Sequence, residues 1–335
     1  AISTALGLGL VACGGDDPAA APVVSTTEMR TIMVLDQLDW KFIQDDTLTE
    51  TAALSNDAST GSTVNLPHTW NEKDAASTNQ TTPTSKNYKR GKGWYRLEFN
   101  NTGNGATQWL QFDGASIVAD VWLNGEKLGQ HKGAFTEFRF DVTGKLKAGK
   151  NVLLFRADNT EPLTGTDLTA IAPLSGDFNM AGGLYRGVSL VSTPNAAHFA
   201  LNEAVATKDA SGKDISADVA GRGVYARTTS VTNGTATVNV NAKLKNDSKV
   251  DGSFTVQAAL VDASGKTVKV AQKGGVAIKA GATAEVAQDL VVDNARLWHG
   301  MADPYLYKLV VELKDSAGNS VDKLVQDFGI RTMVY

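Results

Sequence analysis

The run Val121-Trp122-Leu123-Asn124-Gly125-Glu126-Lys127-Leu128-Gly129 constrains the fold more than any other stretch of the chain. Asn-Gly between two alternating runs signals a β-hairpin, because a type I′ turn needs positive φ at both central residues. The same two-residue alternation reads in Gly93-Trp94-Tyr95-Arg96-Leu97-Glu98-Phe99 and in Gln108-Trp109-Leu110-Gln111-Phe112. Further strands are expected over residues 136–142, 151–157 and 184–192. No stretch carries a good helical period, and many short strands with regular turns predict a sandwich or jelly roll.

A boundary falls near Thr193-Pro194-Asn195, beyond which aromatics thin out and Val, Ala, Thr and Lys increase. Strands are expected over residues 223–231, 235–245, 253–262, 284–292, 306–315 and 324–330. About seven strands in roughly 130 residues suggest an immunoglobulin-like sandwich, although the Cys-Trp-Cys hallmark of antibody domains is absent. The length of 335 residues also suits two domains. The fold class is therefore all-β: a jelly-roll-like sandwich over residues 28–194, then an immunoglobulin-like sandwich over residues 195–332.

Residues 1–27 read differently. Ala1 to Ala12 is apolar and uncharged. It is shorter than the roughly 20 apolar residues of a membrane-spanning helix and fits the apolar region of a signal peptide. It ends in Leu10-Val11-Ala12-Cys13. That sequence resembles the lipobox of bacterial lipoproteins, which would make Cys13 a lipidation site, the membrane a partner and the cell envelope the location. The bland alternative is a lone cysteine at the edge of an ordinary signal. Residues 14–27, rich in Asp, Ala, Pro and Thr, read as a flexible tether.

The composition argues against several functions. A formal net charge of -4 offers no basic face for nucleic acid. Four His and one Cys are too few for a Cys/His zinc site. There is no Gly-x-Ser-x-Gly elbow and no phosphate-cradling glycine loop. His68, His131, His198 and His299 are scattered without a matching nucleophile and read as surface or packing residues. A glycosidase needs two carboxylates roughly 5–9.5 Å apart in a concave site. None of the 36 acidic residues falls in a convincing pair. Asn202-Glu203 is a decoy that opens a strand just after the boundary.

Four segments, in order, resemble the front half of family 2 glycoside hydrolases, most closely the β-galactosidases. They are Leu66-Pro67-His68-Thr69-Trp70-Asn71 with Gly93-Trp94-Tyr95-Arg96; Val121-Trp122-Leu123-Asn124-Gly125 with Gly133-Ala134-Phe135-Thr136; Ser175-Gly176-Asp177-Phe178-Asn179-Met180-Ala181-Gly182-Gly183-Leu184-Tyr185-Arg186; and Ala295-Arg296-Leu297-Trp298 with Asp303-Pro304-Tyr305-Leu306-Tyr307 and Phe328-Gly329-Ile330-Arg331.

The resemblance implies a sugar-binding domain and an immunoglobulin-like domain, with a catalytic (β/α)₈ barrel following residues 333–335. Both catalytic glutamates of the family lie in that barrel and act by a retaining mechanism. This chain would then supply no catalytic residue. It would help to shape a pocket for a β-galactoside, with a β-mannosidase or β-glucuronidase parent, or a free-standing carbohydrate-binding protein, as alternatives. The resemblance also implies that Asp177 reaches the sugar and, in some members, a bound alkali cation. No cofactor is required by the chain itself, with Na⁺ or Mg²⁺ conceivable in the parent enzyme. The competing reading of Asp177 is an Asx-type turn. Asn71, Asp74 and Asn159 are weaker candidates for the pocket rim. Arg186 reads as a buried structural ion pair rather than a ligand, and Trp70 and Trp94 as sugar platforms or core.

Overall fold

A computed structural model of the chain describes residues 24, 27–55, 60–72, 89–102, 105–160, 181–208 and 214–332. Asp74, Asp177, Cys13 and residues 333–335 lie outside them. The first sandwich has a six-stranded sheet in the order β3 (Ser62–Val64), β2 (Trp40–Gln44), β4 (Lys92–Asn100), β9 (Lys150–Asp158), β6 (Val118–Leu123), β7 (Glu126–Lys132). Facing it is a four-stranded sheet in the order β1 (Thr31–Val34), β10 (Val188–Thr193), β5 (Thr107–Phe112), β8 (Phe138–Asp141). All the pairings are antiparallel. Side chains alternate across a strand, so partners in register share a face. The row Phe42, Tyr95, Phe155, Val121 points inward. There it meets Leu110, Phe112, Val188 and Leu190 of the second sheet in one buried core.

The opposite row, Ile43, Trp94, Arg156, Asp120, points away from that core. It is nevertheless covered, because helix α1 (Glu50–Leu54) lies across it. Ala53 packs with Trp94, Trp122 and Leu154 in a second small cluster. The Thr49 hydroxyl caps the helix by accepting from the Ala52 amide at 3.2 Å. The Trp122 indole donates to Glu50 Oε1 at 2.8 Å. At 5 residues the helix is under two turns, so no helical period could reveal it. Asn124 and Gly125 both have positive φ, 53° and 89°, as the hairpin reading requires.

The second sandwich begins at β11 (Ala197–Phe199). A ribbon of β12 (Asn202–Lys208) and β13 (Asp214–Ala220) follows. One sheet centres on β15 (Thr235–Asn246), paired with β11, β14 (Val224–Thr232) and β18 (Thr283–Val292). The other runs β17 (Thr267–Ile278), β16 (Gly252–Val261), β19 (Tyr307–Lys314), β20 (Ser320–Phe328). Every second residue of β15 is buried. Val238, Val240 and Leu244 meet Val256, Leu260, Leu309 and Leu313 across the sandwich. Asn202-Glu203 opens β12 as expected, and three strands escape the sequence reading: β11, β13 and β17. The last is exposed along most of its length, and a register shift opposite Phe254 and Val256 breaks its pattern.

The two sandwiches are joined by more than the chain. The side chain of Arg139, on β8, donates to the carbonyls of Gly221, at 2.7 Å, and Leu201. Asn202 Nδ2 donates back to the Arg139 carbonyl at 3.3 Å. Ahead of β1, Glu28, Met29 and Arg30 bond to β20. Val24, in the stretch read as a tether, packs on Ala259, Val261 and Val310 at the back of the second sandwich.

Candidate functional site

The first segment of the resemblance forms one end of the first sandwich. Trp70 is half-buried and lies flat on Phe42, with ring centroids 5.9 Å apart and planes 14° apart. Its ring also presses on two glycines. A Cβ at Gly93 would stand 2.3 Å from it and a Cβ at Gly182 1.9 Å, so only glycine fits at either place. The Trp70 indole donates to the Lys89 carbonyl at 3.0 Å.

Asn71 shares that carbonyl through its Nδ2, also at 3.0 Å. Its Oδ1 accepts from the Gly182 amide at 2.8 Å and from Asn159 Nδ2 at 3.4 Å. Asn159 Oδ1 in turn accepts from the Gly91 amide at 3.0 Å. Both asparagines are buried, 1% and 0% exposed. Two side-chain amides thus tie together four parts of the chain, around residues 71, 90, 159 and 182. A buried amide that satisfies several backbone groups fixes a geometry that surface hydrogen bonds would not. Of the sequence candidates, the structure joins Asn71 to Asn159. Asp74 and Asp177 lie outside the described residues.

His68 stands behind this cluster. Its Nδ1 is 2.8 Å from the Tyr95 hydroxyl, and its amide donates to the Leu184 carbonyl. Burial lowers the His68 pKa, against the opposing charge of Glu72, and raises that of Tyr95. A neutral imidazole beside a protonated phenol is a structural pair rather than a proton shuttle at neutral pH.

Arg90 is the residue here that the sequence reading misses. Its three guanidinium nitrogens are shielded from solvent, and none finds an acceptor among the described residues. A buried guanidinium normally has carboxylate partners, and none stands beside Arg90 among the described residues. The only local signal is an Arg beside the Gly91-Lys92-Gly93 run.

Other candidates resolve differently. Trp94 is fully buried against Trp122 and belongs to the core. Arg186 is not the buried ion pair expected. It is exposed and donates to the carbonyls of Asp113 and Phe135 at 3.2 and 3.1 Å, so backbone dipoles replace the carboxylate partner. Glu203 accepts from Lys243 and, at 2.8 Å, from the Tyr225 hydroxyl. Burial pushes its pKa up, but those two hydrogen bonds outweigh burial and hold it below the usual glutamate value. A general acid would need the opposite shift. His131 bonds Thr136, His198 bonds Asp247, and His299 is exposed. Among the described residues no group of three His, Cys, Asp or Glu side chains could hold a metal ion. Among them, too, no helix is long and apolar enough to cross a membrane.

A family model described as "Glycosyl hydrolase 2 galactose-binding domain-like" matches residues 40–165, and one described as "Glycosyl hydrolases family 2" matches residues 222–331. A β-glucuronidase of Bacteroides fragilis is 33% identical over 271 residues, covering 80% of this chain and 34% of that protein. A β-galactosidase of Bacteroides ovatus is 30% identical over 273 residues, covering 80% of this chain and 28% of that protein. The crystal structure of a Bacteroides uniformis β-glucuronidase superposes with a TM-score of 0.72 at 27% identity, covering 90% of this chain and 33% of that one. The chain therefore spans about a third of the length of these relatives.

Proposed function

The chain belongs to glycosyl hydrolase family 2, and from that membership we propose that it is the non-catalytic front part of a β-glycosidase. It shapes one side of a sugar pocket whose catalytic pair is supplied by a barrel of the same polypeptide. The observation that carries this reading is the buried Asn71–Asn159 tie. It fixes the Gly182 backbone, five residues after Asp177, against Lys89 and Gly91. In this proposal Asp177 accepts hydrogen bonds from vicinal sugar hydroxyls, as an ionised carboxylate can. Asn71 and Asn159 set its approach, and Asp74 adds to the rim.

The sugar is a β-galactoside by the form of the segment around Asp177. A β-glucuronide is the second reading, supported by the names of several relatives and by the guanidinium of Arg90, which has no acceptor among the described residues and suits a uronate carboxylate. The test is kinetic, on the complete polypeptide, with both aryl glycosides as substrates. Asp177→Ala should lower kcat/KM by roughly 10- to 150-fold, the worth of one charged hydrogen bond, at unchanged stability. Lower stability with intact activity would make Asp177 a turn residue instead. Arg90→Leu should cost the glucuronide far more than the galactoside if the second reading holds. We further propose a lipid anchor at Cys13. Cys13→Ser in the complete precursor should then move the protein from the membrane fraction to the soluble one, and unchanged partitioning would exclude the anchor.

A further inference from the structure

The outer face of the six-stranded sheet carries a groove far in register from the Asn71–Asn159 cluster. It has a volume of about 320 Å³ and lies between α1 and the turns that end β6 and begin β9. Its floor is Val152 and Leu154, with Ala53 and Leu54 on one side. Arg96, Lys147 and Lys150 line the rest, together with the Asn124-Gly125 turn. A turn glycine leaves that wall low, since a Cβ at Gly125 would meet nothing within 4 Å.

The charges around the groove are unbalanced. Glu98 accepts from Arg96 at 2.8 Å and also pairs with Lys150. Those two bonds hold the Glu98 carboxyl below its usual pKa, so it is ionised at neutral pH. Glu126, on the nearby hairpin, is taken up by Lys145. Lys147 has no ion pair among the described residues. Three cations thus face one carboxylate, in a chain whose net charge is -4.

We propose that this groove is a non-catalytic binding site for a hexuronate residue of an acidic glycan. The ligand must present one negative charge at its edge and an apolar face beneath it. A uronic acid ring does both: its carboxylate lies at the ring's edge, towards Lys147 and Arg96, and its C–H face lies over Val152 and Leu154. An inorganic anion would leave the apolar floor unused. A fatty acid would need a long apolar channel, and the apolar lining here is only the four side chains of Ala53, Leu54, Val152 and Leu154. The site stands apart from the sugar pocket proposed above and does not depend on it.

The experiment is a titration of the full chain, carrying labelled methyl groups, with methyl β-D-glucuronide, methyl β-D-glucoside and inorganic phosphate in parallel. The glucuronide should shift the methyl resonances of Leu54, Val152 and Leu154. Lys147→Glu, a change at an exposed position, should weaken its binding at least tenfold and leave the melting temperature unchanged. The glucoside and phosphate should each bind at least tenfold more weakly. Absence of glucuronide binding, shifts confined to other residues, insensitivity to Lys147→Glu, or equal binding of the glucoside or of phosphate would each overturn the proposal.

Discussion

Arg30 and Asp322 stand 292 residues apart in sequence, yet their side chains meet in a two-point ion pair, with Nη2 to Oδ2 at 2.7 Å and Nε to Oδ1 at 3.2 Å. The pair fastens the segment ahead of the first sandwich to the last strand of the second. The arginine side chain is 8% exposed and the carboxylate fully buried. Asp322 also accepts from the amides of Phe199 and Lys323, so its lone pairs are well used.

Breaking this pair from one side leaves a buried charge. Asp322→Ala is expected to cost about 3–5 kcal/mol, the usual penalty for an orphaned buried partner. The double replacement Arg30→Met with Asp322→Leu should cost less than Asp322→Ala alone. Denaturant unfolding of the three proteins measures both. A loss of under about 1 kcal/mol for Asp322→Ala would show that the pair is solvated and weak.

Gly182→Ala places a methyl group where the Trp70 ring now lies, 1.9 Å away. The ring must leave Phe42, and the Asn71 bond to the residue-182 amide must stretch. Overpacking of this kind costs about 1–3 kcal/mol. In the complete polypeptide it should also reduce kcat/KM, because the base of the segment bearing Asp177 moves. A melting temperature equal to that of the parent would show that the site repacks freely.

The stability of the first sandwich should fall at acid pH through Asp120. Burial pushes the pKa of this carboxyl up, but hydrogen bonds and charge from Lys127 and Arg156 outweigh burial and set it below the ordinary value. A depressed folded pKa means that the unfolded chain takes up its proton first. The contribution is therefore complete above about pH 3.9, the unfolded value, and is lost as the pH falls through the lower folded value. Asp120→Asn should be less stable at neutral pH and show a flatter acid limb. An acid limb unchanged in Asp120→Asn would assign the loss to other carboxylates.

The Asn124-Gly125 turn gives a local test of register. Asn124 has a φ of 53°, accepts from the Val152 amide at 3.0 Å and donates to Asn151 at 2.9 Å. Asn124→Ala should cost about 1–2 kcal/mol, from the left-handed backbone alone, plus the lost bonds. A neutral effect on the unfolding midpoint would mean that the turn relaxes to another type.

Parts of this fold are legible in the sequence because one period answers one buried face. In β15, alternate residues from Ala236 to Leu244 are buried, and the strand reads without help. The hairpin at Asn124 is legible because only a few residue types tolerate its backbone. The outer layer on Trp94 and Trp122 is hidden, since a helix of 5 residues has no period. The candidate site is hidden for another reason. Asn71 bonds the Gly182 amide across a sequence separation of 111, and nothing local to either residue announces the other. Family resemblance pointed to Asn71 and Asn159, but not to their burial. Arg90 stands out only once the described residues around it are seen to lack an acceptor.

In the function proposed above, these two domains serve a glycosidase without containing its catalytic pair. The direct measurement is hydrolysis of 4-nitrophenyl β-D-galactoside and β-D-glucuronide by the purified 335-residue chain. Nitrophenol should be released at the buffer rate with both substrates. Turnover that persists through purification and disappears in Glu203→Gln, at the acidic residue that follows Asn202 at the start of β12, would place a catalytic carboxylate within these domains.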